Sequence, residues 1–478
     1  MTDQYFQDRS TDIYDVSMRV ILNLLGKNNE TEIGENKIVV AYDLTPSEAI
    51  SYTIQDVKGI VLAKGGVTSH SVILAKSMGI PCVVGVKELL DNVSAGQRLI
   101  IDGVSGRVLV NPNPKLVKEY RKRMRVYKEF LDKMDELGAL DAVTKDEQKI
   151  QLLANVGVLS DLHFLQQFGA MGIGLYRTEF PFMARNSLPT VEEQYEIYTK
   201  IIEALPDKEV VIRTLDLGGD KFLSYLDLGQ EENPYLGWRS IRISLELTDL
   251  FKVQLKALMM ASAHGNLHIL FPMISELDEV RKIKKILSEV KNELRRERIA
   301  FREDVPFGIM VEVPSAVICL DLLIDEVDFL SIGTNDLIQY TLAVDRNNEK
   351  VANYYEPMHP AIIRMIEQTI QIAKVHKKPV TLCGEMAADP KCTPLLLGLG
   401  LERFSMGAPN IPIIKEVIRR LDMKYCEEVV TEVKKFRTAR EIREYLDSIY
   451  NLLGLESFFE KLSLGKPNGS SSKVATYF

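Results

Sequence analysis

After about residue 148 the chain repeats one pattern: a short apolar run of strand character followed by a longer stretch with helical periodicity. The runs are "QLLANVG" (151–157), "IGLYRTE" (173–179), "EVVIRTLD" (209–216), "HILFPMI" (268–274), "PFGIMVE" (306–312), "FLSIGTND" (329–336), "PVTLCGE" (379–385) and "ERFSMGA" (402–408). Eight β-then-α units predict an α/β fold built on a (β/α)8 TIM barrel with insertions. An open doubly wound sheet is the competing arrangement, and the number of runs favours closure.

In such a barrel the chemistry sits at the carboxyl ends of the strands, so the residues that end each run carry the functional signal. Run two ends in Arg177 and Glu179, and run three carries Arg213 and Asp216 before "GGDK" with Lys221. Runs five, six and seven end in Glu312, in Asn335-Asp336 and in Cys383-Gly384-Glu385. A structural salt bridge explains any one of these. Several apolar strands that turn polar at the same end imply one shared pocket. Arg177 and Arg213, with Arg239 in "NPYLGWRSIR" and Arg346 in "AVDR", suit a small ligand with several anionic oxygens, because guanidinium pairs bidentately with phosphate and carboxylate. The ligand expected is a phosphorylated acid. Glu312 and Asp336 offer hard oxygen ligands for Mg2+ if substrate phosphate and water complete the shell; the other reading is that they only neutralise the arginines. Cys383 is a candidate proton donor, although a lone cysteine is commonly a small buried hydrophobe.

Ahead of the barrel, residues 37–112 hold short β-rich runs punctuated by Gly, Pro and Asp ("KIVVAY", "GIVLA", "PCVVGV", "RLIIDG", "RVLVNP"), with a helix predicted at 70–79. This is a small α/β domain. "TDIYDVSMRVILNLLG" (11–26) reads as one amphipathic helix ended by Gly26, and "PKLVKEYRKRMRVYKEFLDKMDELGAL" (114–140) as a long charged helix connecting two domains. The Gly/Ser-rich tail "GKPNGSSSKVATYF" is expected to be disordered. A length of 478 residues suffices for two or three well-packed domains. With 59 Lys+Arg against 67 Asp+Glu, the net charge of −8 disfavours nucleic acid or an anionic membrane as the main partner, while leaving local basic sites for anions open. The five cysteines have no metal-type spacing, and their odd number fits a reducing cytoplasm. No signal peptide or apolar run of membrane length is present, so no membrane insertion is expected.

Within the small domain, "KGGVTSHSVILAKSMGIPCVVG" (64–85) sets Gly65-Gly66 for a tight turn, Thr68 or Ser69 as a helix cap, and His70 in the first helical turn. A helix start favours an anion, so an imidazole there can accept a phosphoryl group on nitrogen; equally, a histidine near a cap is often structural. Of the other five histidines, His163, His264, His268 and His376 lie in helical or core-like contexts, and only His359 in "MHPA" reads as loop-placed.

The segment "GGVTSHSVILAKSMGIPCVVG" resembles the phosphohistidine signature of the phosphoenolpyruvate-utilising enzymes, and "DFLSIGTNDLIQYTLAVDR" with "LCGEMA" resembles their barrel signature. "NPYLGWRSIRI" and "RTLDLGGDK" narrow the likeness to the Enzyme I phosphotransferases of the sugar phosphotransferase system, over residues 11 to 455. The resemblance implies that His70 carries the phosphoryl group with Thr68 supporting it. Arg177, Arg213, Asn335 and Arg346 would hold phosphoenolpyruvate, with Arg239 and Lys221 supporting the phosphate. Glu312 and Asp336 would bind Mg2+, and Cys383 would protonate the enolate carbon.

It further implies a helical remnant of a partner-docking domain at 1–35 and a phosphohistidine swivelling domain at 36–112. A linker helix at 113–145, a phosphoenolpyruvate-binding barrel at 146–460 and the tail at 461–478 would complete the chain. The smaller domain would swing to collect and present phosphate. Implied partners are the phosphocarrier protein HPr and a second copy of the chain through the barrel. Because family members carry a further strand and a full helical domain before the histidine segment, the resemblance implies an N-terminally shortened form whose HPr-docking surface is largely missing. Two other readings are a pyruvate phosphate dikinase or phosphoenolpyruvate synthase-like enzyme, which would need a large nucleotide-binding domain ahead of residue 36, and a paralogue that binds phosphoenolpyruvate without passing phosphate on.

Overall fold

In the computed structural model, which describes residues 37–44, 57–64, 80–86, 88–103, 105–183, 187–218, 231–348 and 350–455, each of the eight apolar runs contains a strand. The chain divides into two compact units at Lys128/Glu129. The predicted helices at 11–26 and 70–79, His70, Thr68, Lys221 and the C-terminal tail lie outside the described residues.

In the first unit, β1 (Ile38–Ala41), β2 (Gly59–Leu62) and β3 (Cys82–Val83) form a parallel sheet in that order, and β4 (Leu99–Asp102) and β5 (Arg107–Val110) form an antiparallel pair. The central strand β2 is buried along its length, as "GIVL" dictates. Gly59 has a packing reason: a Cβ there would come within 2.7 Å of Ile101 Cδ1. The turn between β4 and β5 is held by Asp102 Oδ1, which accepts from the Ser105 amide at 3.0 Å, and by Gly106 at φ +65°. The long charged stretch forms the helix Pro114–Gly138, whose start is held by Asn113 Oδ1 accepting from the Leu116 amide.

The second unit is a closed barrel of parallel strands: β6 (Gln151–Val156), β7 (Ile173–Arg177), β8 (Val210–Arg213), β9 (Leu267–Phe271), β10 (Phe307–Val311), β11 (Phe329–Ile332), β12 (Val380–Leu382) and β13 (Arg403–Gly407). Closure is made by β13 pairing with β6, from Arg403↔Gln151 to Gly407↔Asn155. The open-sheet alternative is thereby excluded. The strands are buried because helices cover the outer face, and Leu175, Val211, Leu270, Met310, Phe329 and Cys383 cluster in the core. Covering helices form where apolar residues recur at helical spacing. In Leu277–Glu297 the buried residues Val280, Ile283, Leu287, Val290 and Leu294 form one stripe. That helix starts with a capping box between Glu276 and Glu279 and stops at Arg298, whose φ of +57° is left-handed.

Several strands are shorter than their apolar runs, because the polar residues that end the runs belong to the loops. At β11, Gly333 follows the strand, and Asn335 and Asp336 lie in the first turn of the helix Thr334–Leu342 instead of at a strand end. A side chain at Gly333 would put its Cβ 2.7 Å from Glu312 Oε2, so glycine lets strand turn to helix beside that carboxylate. His359, expected in a loop, is the N-cap of the helix Pro360–Val375, with Nδ1 accepting from the Ala361 amide at 3.1 Å.

Candidate active site

Arg213, the last residue of β8, is 6 % exposed. Its Nη2 pairs with Glu179, which follows β7, and with Asp216 Oδ2 at 3.0 Å. Asp216 also accepts, through Oδ1, from Arg239 Nη2 at 3.1 Å, so one buried carboxylate bridges two buried arginines. Arg239 reaches further: Nη2 lies 3.2 Å from Asp336 Oδ2, and Nη1 donates to Tyr340 Oη at 2.8 Å. Tyr340 in turn donates to the Tyr235 carbonyl at 2.6 Å. Arg346 Nη1 stands 3.4 Å from Asp336 Oδ1. Burial alone would lower the pKa values of Arg213 and Arg239, but the surrounding carboxylates outweigh it and raise both, so each stays a cation. Arg177, at the end of β7, is exposed.

Glu312 follows β10 and is 2 % exposed. Its Oε1 accepts from the Met273 amide at 2.7 Å, where Met273 holds φ at +57°. Burial, then the charges of Asp336 and Asp216, push its carboxyl up to about 8, against the pull of Arg213 and Arg239. Asp336 Oδ1 is buried and accepts no hydrogen bond. The buried Glu312 carboxylate beside the Asp336 charge, with Asp336 Oδ1 accepting no hydrogen bond, fits a divalent cation. Among the described residues no group of three His, Cys, Asp or Glu side chains is arranged to hold a metal, so further ligands would come from substrate and water. The charge balance agrees. Arg213 and Arg239 already meet Glu179, Asp216 and Asp336, so a polyanionic ligand entering beside them adds negative charge that a divalent cation would offset.

Cys383, directly after β12, is 4 % exposed, and its Sγ accepts from Ser331 Oγ at 3.3 Å. Burial pushes the thiol pKa up, while the Ser331 hydrogen bond and the Arg213 charge pull it down. Asn155 Nδ2 holds the Cys383 carbonyl at 2.9 Å, and Asn335 Oδ1 accepts from the Glu385 amide at 3.1 Å. Gly384 is sterically required, since a Cβ there would fall inside the Thr334 hydroxyl.

A family model described as "PEP-utilising enzyme, PEP-binding domain" matches residues 132–423, and one described as "PEP-utilising enzyme, mobile domain" matches residues 33–106. A phosphoenolpyruvate-protein phosphotransferase of Priestia megaterium is 44% identical over 454 residues, which are 95% of this chain and 79% of that protein. The chain belongs to the phosphoenolpyruvate-protein phosphotransferase family. It is therefore an enzyme, a transferase. Phosphoenolpyruvate-protein phosphotransferases of Staphylococcus carnosus and Haemophilus influenzae are each 42% identical, over 94% and 93% of this chain and 78% of each relative.

Of the site residues read from the sequence, Arg213, Arg239, Arg346 and Asp336 are joined through direct contacts in which Asp216 is the shared partner of the first two. Glu312 and Cys383 lie close enough to feel the charge of Arg213, and Cys383 that of Arg177. Sequence reasoning noted Glu179 and Asp216 as polar strand ends without seeing them as the arginines' partners, and it missed Tyr340, Ser331 and Asn155. Tyr340 was within reach, being four residues after Asp336 on one helix and so on the same face. Among the described residues no helix is long and apolar enough to cross a membrane.

Proposed function

We propose that this phosphotransferase takes the phosphoryl group of phosphoenolpyruvate onto His70 and passes it to the phosphocarrier protein HPr, the first step of the sugar phosphotransferase system. The observation that carries the reading is the pair of buried arginines bridged by Asp216, beside the carboxylates of Glu312 and Asp336. Arg177, Arg213, Arg239 and Arg346, with Asn335 and Lys221, bind and orient the phosphate and carboxylate groups. Glu312 and Asp336 hold Mg2+, which when bound supplies positive charge to the phosphate oxygens.

An imidazole nitrogen of His70, supported by Thr68, forms a bond to phosphorus as the bond to the enol oxygen breaks, and pyruvate enolate leaves with that electron pair. The Cys383 thiol gives its proton to the enolate methylene carbon, completing pyruvate. Fixed arginine charges, those of Arg213 and Arg239 buried, stabilise the transferring group, so positioning and electrostatics carry the rate. In this reading residues 36–112 are the phosphohistidine domain, 113–145 the linker and 146–460 the barrel, and the enzyme works in the cytoplasm as a dimer through its barrel.

The test is incubation with 32P-labelled phosphoenolpyruvate and Mg2+. The parent chain takes up acid-labile, base-stable label that passes to added HPr, and His70→Ala takes up none. Absence of label on the parent would refute the reading, while label that stays on the chain would remove only the HPr step.

A further inference from the structure

The first unit contains a cavity of about 320 Å3 where β5 gives way to the helix Pro114–Gly138, lined by Arg98, Pro112, Pro114, Val117, Lys118 and Arg121. The three cations are solvent-exposed, and among the described residues their side chains make no ion pair or hydrogen bond. Acids are present in the same unit, yet they turn to another residue. Arg123 pairs with Glu119 at 2.7 Å and stands 3.8 Å from Asp102. From residue 115 to 128 there are seven Lys and Arg against the single Glu119, in a chain whose net charge is −8. The excess is local, and among the described residues no carboxylate pairs with Arg98, Lys118 or Arg121. The remaining wall, Pro112, Pro114 and Val117, is apolar.

We propose that this cavity is a binding site for a small polyanion carrying two or more phosphoryl groups, separate from the barrel pocket. Two guanidinium forks and an ammonium exceed what a single carboxylate neutralises, and the fork geometry matches phosphate oxygens. Pro112, Pro114 and Val117 supply the apolar surface on which the sugar or base of such a ligand rests. The volume lies at the lower end of the range for ligand pockets, roughly 300–1,000 Å3, which suits a compact ligand. The further positive charges along the helix raise the local concentration of anions and make binding dependent on ionic strength.

The experiment titrates inorganic pyrophosphate calorimetrically, in the absence of divalent cations, into the full-length chain, Arg98→Ser/Arg121→Ser, Lys118→Glu and, as a barrel control, Arg177→Ala. The expected result is a saturable site weakened about tenfold or more by either first-unit variant, a loss of at least ~1.4 kcal/mol. Arg177→Ala should leave that site unchanged, and Arg98→Ser/Arg121→Ser should retain uptake of phosphate from phosphoenolpyruvate, which shows that it is folded. The proposal is overturned if no saturable binding is seen, if both first-unit variants bind as the parent does, or if the site is lost in Arg177→Ala instead.

Discussion

Cations gather in two places in this molecule, and they are handled in opposite ways. In the barrel, Arg213 and Arg239 are almost fully buried and each meets two carboxylates, with Asp216 shared between them. In the first unit, Arg98, Lys118 and Arg121 stand in solvent with no acid against them among the described residues. Burial explains the difference, because a desolvated guanidinium without a counter-charge is too costly to keep, whereas water compensates an exposed one. The lesson for function is that the barrel's arginines come already balanced. A phosphorylated acid that binds there adds negative charge to this set, and Glu312 and Asp336 are the carboxylates that would hold a divalent cation to offset it.

The sharpest way to break this contrast is to remove the shared carboxylate. Asp216→Ala leaves two buried arginines short of charge and should cost about 3–5 kcal/mol in urea unfolding, together with binding of phosphoenolpyruvate. Arg121→Ser in the exposed set should change stability by no more than about 0.5 kcal/mol in the same measurement. Equal effects would mean that burial does not separate the two clusters.

A second test uses pH. Glu312 has a folded pKa raised to about 8, above its ordinary 4.5, so the folded state holds a proton that the unfolded state has already released. Its contribution to stability is therefore present below about pH 4.5 and lost as pH rises towards 8, unless a cation stabilises the charged form. Chemical unfolding between pH 5 and 8 without divalent metal should show this fall; Mg2+ should flatten it and Glu312→Gln should abolish it. A slope that Glu312→Gln leaves intact belongs to another group.

Gly384→Ala tests the geometry beside the pocket. The new Cβ must displace Thr334 at the start of the helix carrying Asp336, at an expected cost of about 1–3 kcal/mol, with weaker metal binding measured by titration. The smallest effect is expected at Ser331. Its hydroxyl is one neutral donor to the Cys383 sulfur, so Ser331→Ala should raise the thiol pKa further in an ultraviolet thiolate titration, with stability nearly unchanged.

The barrel was legible because eight apolar runs separated by helical stretches leave few other ways to bury the apolar surface. The strand ends were legible in type but not in partner. Arg213 takes its carboxylate Glu179 from the short helix that follows the neighbouring strand, 34 residues away, and Arg239 reaches Asp336 across 97 residues. Only tertiary folding decides which acid meets which base. Gly333 and Gly384 look interchangeable in sequence, but each is fixed by one particular neighbour, Glu312 or Thr334. The capping role of His359 was hidden because histidine is an unusual N-cap, although the Pro360 that follows is a known helix start.

The central claim joins the barrel pocket to His70, and a pyruvate burst tests it most directly. The full chain is mixed with phosphoenolpyruvate and Mg2+ without HPr, and pyruvate release is followed beside calorimetric binding of phosphoenolpyruvate. The account predicts about one equivalent of pyruvate per chain from the parent, and none from His70→Ala, which still binds phosphoenolpyruvate because its barrel is intact. A full burst from His70→Ala would contradict it, since the phosphoryl group would then be leaving by another route.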